Sequence, residues 1–380
     1  MTAQMMTEAS ANLMNRKPEE HFPDLPTLIA DAQAQKDRST TADVDDSGIL
    51  FVPGRGGIVA DLGRGREVAL GHYARQQMGT LAGVPIRVQD RLSPRTLAQV
   101  LNETAPRDHN GPDARQWLLQ DTDSGPEARA ITSQKYERLW DADLYGECAR
   151  WLPEGWEPAY PELHMLWEGA TDSRANIQGN EKPALFRSDR DSFAFFHGPR
   201  ADAGEDFGGL RPGLMAWNSE VGAASFGFRR FYFRAMCCNF LIWDASEIKE
   251  RRARHTKQVT RIRGMFSREL RRIAQPMTTA ELDSFARAQA HTFESFERDS
   301  QTTAKNAADR LYRLPKVQVT QAQAVRAIEA ATWEAQQSGS PVLSSWDVAN
   351  GLTWTAKEAD YAKDRATIQQ AAGAVMAAAQ

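Results

Sequence analysis

The chain is poor in cysteine and has no long apolar run. Cys148, Cys237 and Cys238 form no CxxC spacing, so neither a disulfide framework nor a cysteine-based zinc site is indicated, and reduced thiols are expected. No run of about 18 apolar residues exists to span a bilayer, and the opening residues MTAQMMTEASANLMNRKPEE lack the apolar segment of a secretory signal. A cytoplasmic protein with no membrane partner is the expectation. In GRGGIVADLGRG, Gly54 and Gly56 are followed by Val59 where a dinucleotide fingerprint requires glycine, and no Gly-Lys-Ser or Gly-Lys-Thr follows. The histidines at 21, 72, 109, 164, 197, 255 and 291 are scattered, without HxH or HExxH spacing. No GxSxG elbow occurs, and vicinal Cys237 and Cys238 sit in an apolar run suited to buried structural thiols. No cofactor or metal site is indicated. An enzyme would need a site assembled from distant residues such as His164, Asp191, His197 and Glu220.

What is present is enough apolar sequence for a substantial core: 380 residues, 41% hydrophobic and 25% charged, fit one large domain or two ordinary ones. The net charge of −4 is unevenly spread. Between Ser225 and Gln275 there are 13 Lys or Arg against 4 Asp or Glu, which leaves the remainder of the chain with a surplus of 13 negative charges. Segregation of that kind points to an anionic partner or an acidic neighbouring surface.

Residues 1–48 are polar and predict a flexible N-terminal arm. Residues 49–275 predict an α+β core. ILFVPG, GIVADLG and REVALG read as short strands between glycine turns, HYARQQMGTLAG as a helix ending at Gly83, and SPRTLAQVLNE as a helix capped by Ser93 with Pro94 at its first position. RQWLLQDT and ARAITSQKY predict a hairpin about DSGPE, followed by a helix over DADLYGECARWLPE. ELHMLWEGA, SFAFFHG, GLMAWNSE and ASFGFRRFYFRAMCCNFLIW predict a second set of strands, with PRADAGEDFGG as an exposed loop. From Ser246 onward the pattern is almost wholly helical, broken at Pro276, Pro315 and Pro341, so 276–380 is a helical C-terminal region. The fold class is α+β, strands first and helices after, with a helical C-terminal third.

The basic segment is the best candidate site. In FGFRRFYFRAMCC, strand alternation sends Phe231, Phe233, Ala235 and Cys237 to one face, an apolar row suited to a core. The other face carries Phe228, Arg230, Tyr232 and Arg234, rings alternating with guanidinium groups, as a platform for single-stranded nucleic acid would. In SEIKERRARHTKQVTRIRGMFSRELRRI, Ser246 reads as an N-cap, and Val259, Ile262, Phe266, Leu270 and Ile273 form a buried stripe. The opposite side then presents Arg254, Lys257, Arg261, Arg268 and Arg272, with Arg251, Arg252 and Arg263 at its edges. Strand and helix together predict a groove for DNA or RNA. The competing reading is a cationic helix docked on an acidic surface of the same fold or of a neighbouring subunit.

The runs Arg129-Ala130-Ile131 with Ser133 and Tyr136, Asn218-Ser219-Glu220-Val221-Gly222, Cys238-Asn239, Arg254-His255-Thr256 and Trp346-Asp347-Val348-Ala349-Asn350 resemble, in order, landmarks of the phage/plasmid-like family called domain of unknown function 932. The resemblance spans roughly Gly71 to Asp360. It departs at Phe240, where a small residue is expected after Asn239. It implies a mobile-element setting with no settled activity. Such elements commonly carry single-strand annealing proteins, whose rings or filaments hold DNA in a basic groove, so the analogy suggests an antiparallel curved sheet backed by helices, and strand annealing or protection by a homo-oligomer. Within the landmarks, Asn218 to Gly222 reads as a tight turn with Gly222 at positive φ rather than as a catalytic site at Glu220. His255 is a candidate phosphate contact or a residue of a solvated helix surface. The expected function is non-enzymatic binding of single-stranded nucleic acid.

Overall fold

The computed structural model describes residues 18–44, 48–54, 57–63, 65–105, 115–159, 183–199, 210–234, 242–243, 251–253, 255, 264, 266–296, 300–337, 339–357 and 362–379. Residues 25–44 are not an arm. Helix α1 (Leu25–Asp37) is capped by Asp24, whose carboxylate accepts from Thr27 N at 2.7 Å, and it buries Leu28 and Ala32. Strand β1 (Ser39–Val44) then pairs antiparallel over six residues with β5 (Arg115–Thr122). Composition misled here because two small apolar contacts and a row of backbone hydrogen bonds suffice to fix a polar segment onto a sheet edge.

The first sheet follows the sequence pattern closely. Strands β2 (Leu50–Gly54), β3 (Gly57–Asp61), β4 (Glu67–Leu70), β5 (Arg115–Thr122) and β6 (Gly125–Ser133) join β1 in the order β1-β5-β6-β4-β3-β2, antiparallel except at the β4–β6 pair. Helices α2 (His72–Leu81) and α4 (Pro94–Thr104), with the short α3 (Ile86–Gln89) between them, pack on it around Phe51, Met78, Leu97, Leu101 and Trp117. Ser93 caps α4 as its sequence predicts, accepting from Thr96 N.

Helix α5 (Asp141–Trp151) leads to the second sheet. This comprises β7 (Glu157–Pro158), β8 (Leu185–Arg187), β9 (Ser192–His197), β10 (Leu210–Asn218), β11 (Phe226–Arg234), β12 (Ile242–Trp243) and β13 (Arg251–Ala253). Its spine is the antiparallel run β9-β10-β11, with β7 and β8 on the free edge of β9 and β12 and β13 on that of β11. The long aromatic run is thus at least two strands rather than one, and the helix expected from Ser246 is a strand at 251–253, with α6 starting only at Phe266 (Phe266–Ile273). ELHMLWEGA and most of PRADAGEDFGG lie outside the described residues.

Both faces of this sheet are covered. On one, Leu214, Ala216, Phe226 and Phe228 pack under α1, α5 and α6; on the other, Phe193, Phe195, Met215, Trp217 and Phe231 pack together. Gly213 is needed on that second face, because a Cβ there would stand 2.3 Å from the Phe231 ring. The C-terminal third is helical as expected: α7 (Thr279–Ala290), α8 (Ser300–Arg313), α9 (Gln321–Gln337), α10 (Ser345–Lys357) and α11 (Ala362–Ala378), with a small β14 (Thr292–Ser295) and β15 (Val342–Ser344) ladder between them. Pro276, Pro315 and Pro341 all fall between helices. Among the described residues no helix is long and apolar enough to cross a membrane.

Candidate functional site

The β11 platform is the first expectation to test, and the structure turns it inward. Phe228, Arg230 and Tyr232 do share one face, but they are 2%, 3% and 1% exposed. Phe228 meets the Phe266 ring edge-on at 5.1 Å, and Tyr232 meets Phe285 at 4.9 Å. Arg230 lies under the C-terminus of α6, where Nη1 donates to Ile273 O and Gln275 O at 2.7 Å each and Nη2 donates to Pro276 O at 3.4 Å. Unsatisfied carbonyls at a helix C-terminus and its negative dipole end suit a guanidinium. Its Nη2 also stands 3.1 Å from Glu281 Oε2. Glu281 closes the capping box of α7 with Thr278 and accepts from the Tyr232 hydroxyl. These three residues are therefore core and cap, not a nucleic-acid surface: alternation correctly grouped them, but alternation cannot say which face a later helix will cover.

The remaining candidates separate into three groups. Arg234 ends β11 opposite Leu210, and Arg251 and Arg252 pair with Phe228 and Gly227. Arg254, Lys257, Arg261 and Arg263 lie outside the described residues, as do Cys238-Asn239 and His164. Arg268 and Arg272 stand on the exposed side of α6, whose Phe266, Leu270 and Ile273 face the core. Arg271, absent from the expected lining, joins them there. Glu269 is tucked inward and holds Arg272 Nε at 3.0 Å. The outward side of α6 thus presents three arginines. Beside it, the half-buried Trp151 at the end of α5 meets two guanidinium groups, with Arg271 Cζ 4.5 Å and Arg150 Cζ 4.9 Å from its ring. Trp151 Nε1 donates to Glu147 Oε2 at 2.6 Å, which fixes the indole on its helix.

A second concentration of charge lies where the two sheets meet, around the β10–β11 turn. Glu220 is buried; its Oε2 is 3.0 Å from Arg129 Nη1 and its Oε1 accepts from Asp141 N at 2.9 Å. The Asp141 carboxylate accepts from Arg187 Nε at 3.1 Å, and from Ser192 Oγ and Asn218 Nδ2 at 2.7 Å each. Arg187 reaches on to Asp31 and Gln35 of α1. Burial, then the Asp141 charge, raises the Glu220 carboxyl above its ordinary range against the pull of Arg129 and Arg187. Burial works against the Arg187 charge, but Asp141, Glu220 and Asp31 outweigh it and raise that guanidinium. The cluster ties α1, α5, β6, β8, β9 and the turn together. Gly222 has φ +83°, as the turn predicts.

The outer side of the same turn is lined by aromatic rings and arginines. Tyr136 OH donates to Ser219 O at 2.8 Å, and Ser219 Oγ donates to Arg190 O at 2.7 Å. Arg190 lies over Tyr73 at 5.5 Å, and Arg138 lies over Tyr136 at 5.2 Å and Trp140 at 5.7 Å. His255 is neither on a solvated helix nor aimed at solvent. It is buried, stacked on Tyr136 at 4.9 Å and edge-on to Phe226 at 5.4 Å, and its Nδ1 donates to Glu137 O at 3.3 Å. Burial lowers its pKa to about 4, so it is neutral at pH 7. Three of the five landmarks singled out by resemblance, through residues 129–136, 218–222 and 255, therefore meet around one turn. Sequence spacing could not bring them together, because they come from three separate stretches of chain.

Of the residues named for an enzyme, His164 lies outside the described residues, and His197 stands apart from Asp191 and Glu220. His197 is buried at the far end of β9, with Nε2 3.5 Å from Glu157 Oε1, five residues or about 17 Å along the strand from Ser192. Asp191 Oδ1 accepts from Ser188 Oγ within the β8–β9 turn. Among the described residues no group of three His, Cys, Asp or Glu is placed to hold a metal. Searches of family models, curated proteins and solved structures found no match to this chain.

Proposed function

We propose that this protein binds single-stranded nucleic acid without catalysing its breakage, through the exposed arginine side of α6 and the adjoining end of α5. The observation that carries this reading is the contact of Trp151 with both Arg150 and Arg271, the latter on the same exposed side of α6 as Arg268 and Arg272. Arginines neutralise phosphates, and guanidinium planes held against an indole are themselves surfaces on which unstacked bases can lie. Nothing in that arrangement selects a base sequence, so binding is expected to be sequence-tolerant and sensitive to salt. Strand annealing or protection by a homo-oligomer of a phage or plasmid is the role suggested by the resemblance described above.

Fluorescence anisotropy of a labelled oligonucleotide tests the reading. Arg271→Gln combined with Trp151→Leu is expected to weaken binding at least tenfold, whereas wild-type affinity in that variant would refute it. The second reading, that the α6 face docks on an acidic neighbouring subunit, is favoured by the surplus of 13 negative charges outside the basic segment. It predicts instead that Arg268→Glu with Arg272→Glu dissociates an oligomer, measured by light scattering with no nucleic acid present.

A further inference from the structure

Two arginines, Arg138 and Arg190, flank the turn between β10 and β11; burial works against the Arg138 charge, and Tyr136 and the Glu220 carboxylate offset this only in part. Among the described residues neither Arg138 nor Arg190 is in an ion pair, in contrast to Arg129 and Arg187 a few residues away. Arg138 is held by two ring faces and by one bond, from Nη1 to Glu220 O. That leaves Nε and Nη2, both buried and without a hydrogen-bond partner in the protein. These two N–H groups lie on the same edge of the guanidinium, the edge that engages an oxyanion in two parallel bonds. Arg190 Nε is also buried without a partner. Its backbone is pinned to the same turn by Ser219 Oγ, and its guanidinium is carried on Tyr73.

A partly buried guanidinium with an unused fork is costly unless an anion completes it. We propose that Arg138, with Arg190 beside the same Ser219–Ala223 turn, forms a binding site for a phosphate group. The ring faces hold Arg138 at a fixed angle, so its fork is set before the ligand arrives and little side-chain freedom is lost on binding. The buried Glu220 carboxylate, whose charge already acts on Arg138, opposes an anion nearby, so affinity for a lone phosphate is expected to be modest. The site does not depend on nucleic-acid binding at α6, because it lies on a different turn and uses different residues.

The test is a titration of the full-length chain with sodium phosphate against sodium chloride at matched ionic strength, followed through the arginine Nε–H resonances. Saturable shifts with phosphate alone are expected. Arg138→Lys keeps the positive charge but lacks the fork, and Arg190→Gln removes a side chain that has no ion pair. Each is expected to weaken the titration about tenfold, the loss of one charge-assisted hydrogen bond or more, with thermal melts confirming that both variants are folded. A six-residue oligonucleotide separates the sources of the ligand. If phosphate displaces it, the site takes a phosphodiester of a strand; if phosphate saturates the site without displacing it, the site takes free phosphate. No saturable response beyond that of chloride, or unchanged affinity in both variants, overturns the proposal.

Discussion

Replacing Arg230 with methionine separates a structural arginine from a ligand-binding one. The substitution keeps an unbranched apolar stem of similar length but deletes every hydrogen bond from the guanidinium: those to Ile273 O, Gln275 O and Pro276 O, and the pair with Glu281. Glu281 is 6% exposed and would keep a buried charge with only Tyr232 and the Thr278 amide to answer it. Removing one partner of a buried pair costs about 3–5 kcal/mol, a large share of the roughly 5–15 kcal/mol that holds a domain folded. With a urea m-value of about 3 kcal/mol/M, the midpoint of unfolding should fall by about 1–1.7 M. Urea melts followed by far-UV circular dichroism give that shift directly. A midpoint within about 0.3 M of wild type, together with weakened oligonucleotide binding by the folded variant, would refute the assignment of Arg230 to the core and restore the strand as a binding face.

Three further perturbations probe other parts of the account. Because burial holds His255 at about pH 4 in the folded chain, below its ordinary 6.5, only the unfolded chain takes up that proton between those values, and stability from this residue falls as pH drops from 6.5 to 4. The loss approaches about 1.4 kcal/mol per pH unit, and urea midpoints of His255→Phe should lack that component of the slope. Gly222→Ala places a side chain at φ +83° with its Cβ 3.3 Å from Tyr136, and should cost about 1–2 kcal/mol by the same melts. In Gly351→Ala the new Cβ would stand 2.0 Å from Ala327 O, so α9 and α10 must separate; a loss of about 1–3 kcal/mol is expected, and an unchanged melting temperature would contradict their close packing.

Much of the fold was legible because local signals agreed with it. Ser93 and Pro94 marked the start of α4, β5 runs over the predicted RQWLLQDT, and the three prolines fell between helices. The β11 alternation was also real, since Phe228, Arg230 and Tyr232 share a face. What a period of two cannot supply is the identity of the covering layer. The α6 and α7 helices that bury this face come 30 to 60 residues later, and the carbonyls that welcome Arg230 are not encoded in its own strand. The same limit hid the arginine cluster at the β10–β11 turn: Arg129, Arg138, Arg187, Arg190 and Glu220 sit up to 91 positions apart, and only the docking of the two sheets joins them. Of the basic helix, the apolar steps Phe266, Leu270 and Ile273 correctly predicted the buried side of α6, and with it the exposed placement of Arg268 and Arg272. Arg271 was missed because it falls between the two stripes. Its contact is Trp151, more than a hundred residues earlier.

The central claim is that the outward arginines of α6 neutralise phosphates, and the salt dependence of oligonucleotide binding tests it most directly. Anisotropy titrations from about 50 to about 200 mM salt should give a linear fall of log affinity with log salt, at about 0.7 per phosphate neutralised on a single strand. Arg268→Gln with Arg271→Gln and Arg272→Gln should flatten that slope by up to about 2 while the melting temperature stays within a few degrees of wild type. An unchanged slope in the folded triple variant, or no binding by the wild-type chain at the lowest salt, would contradict it.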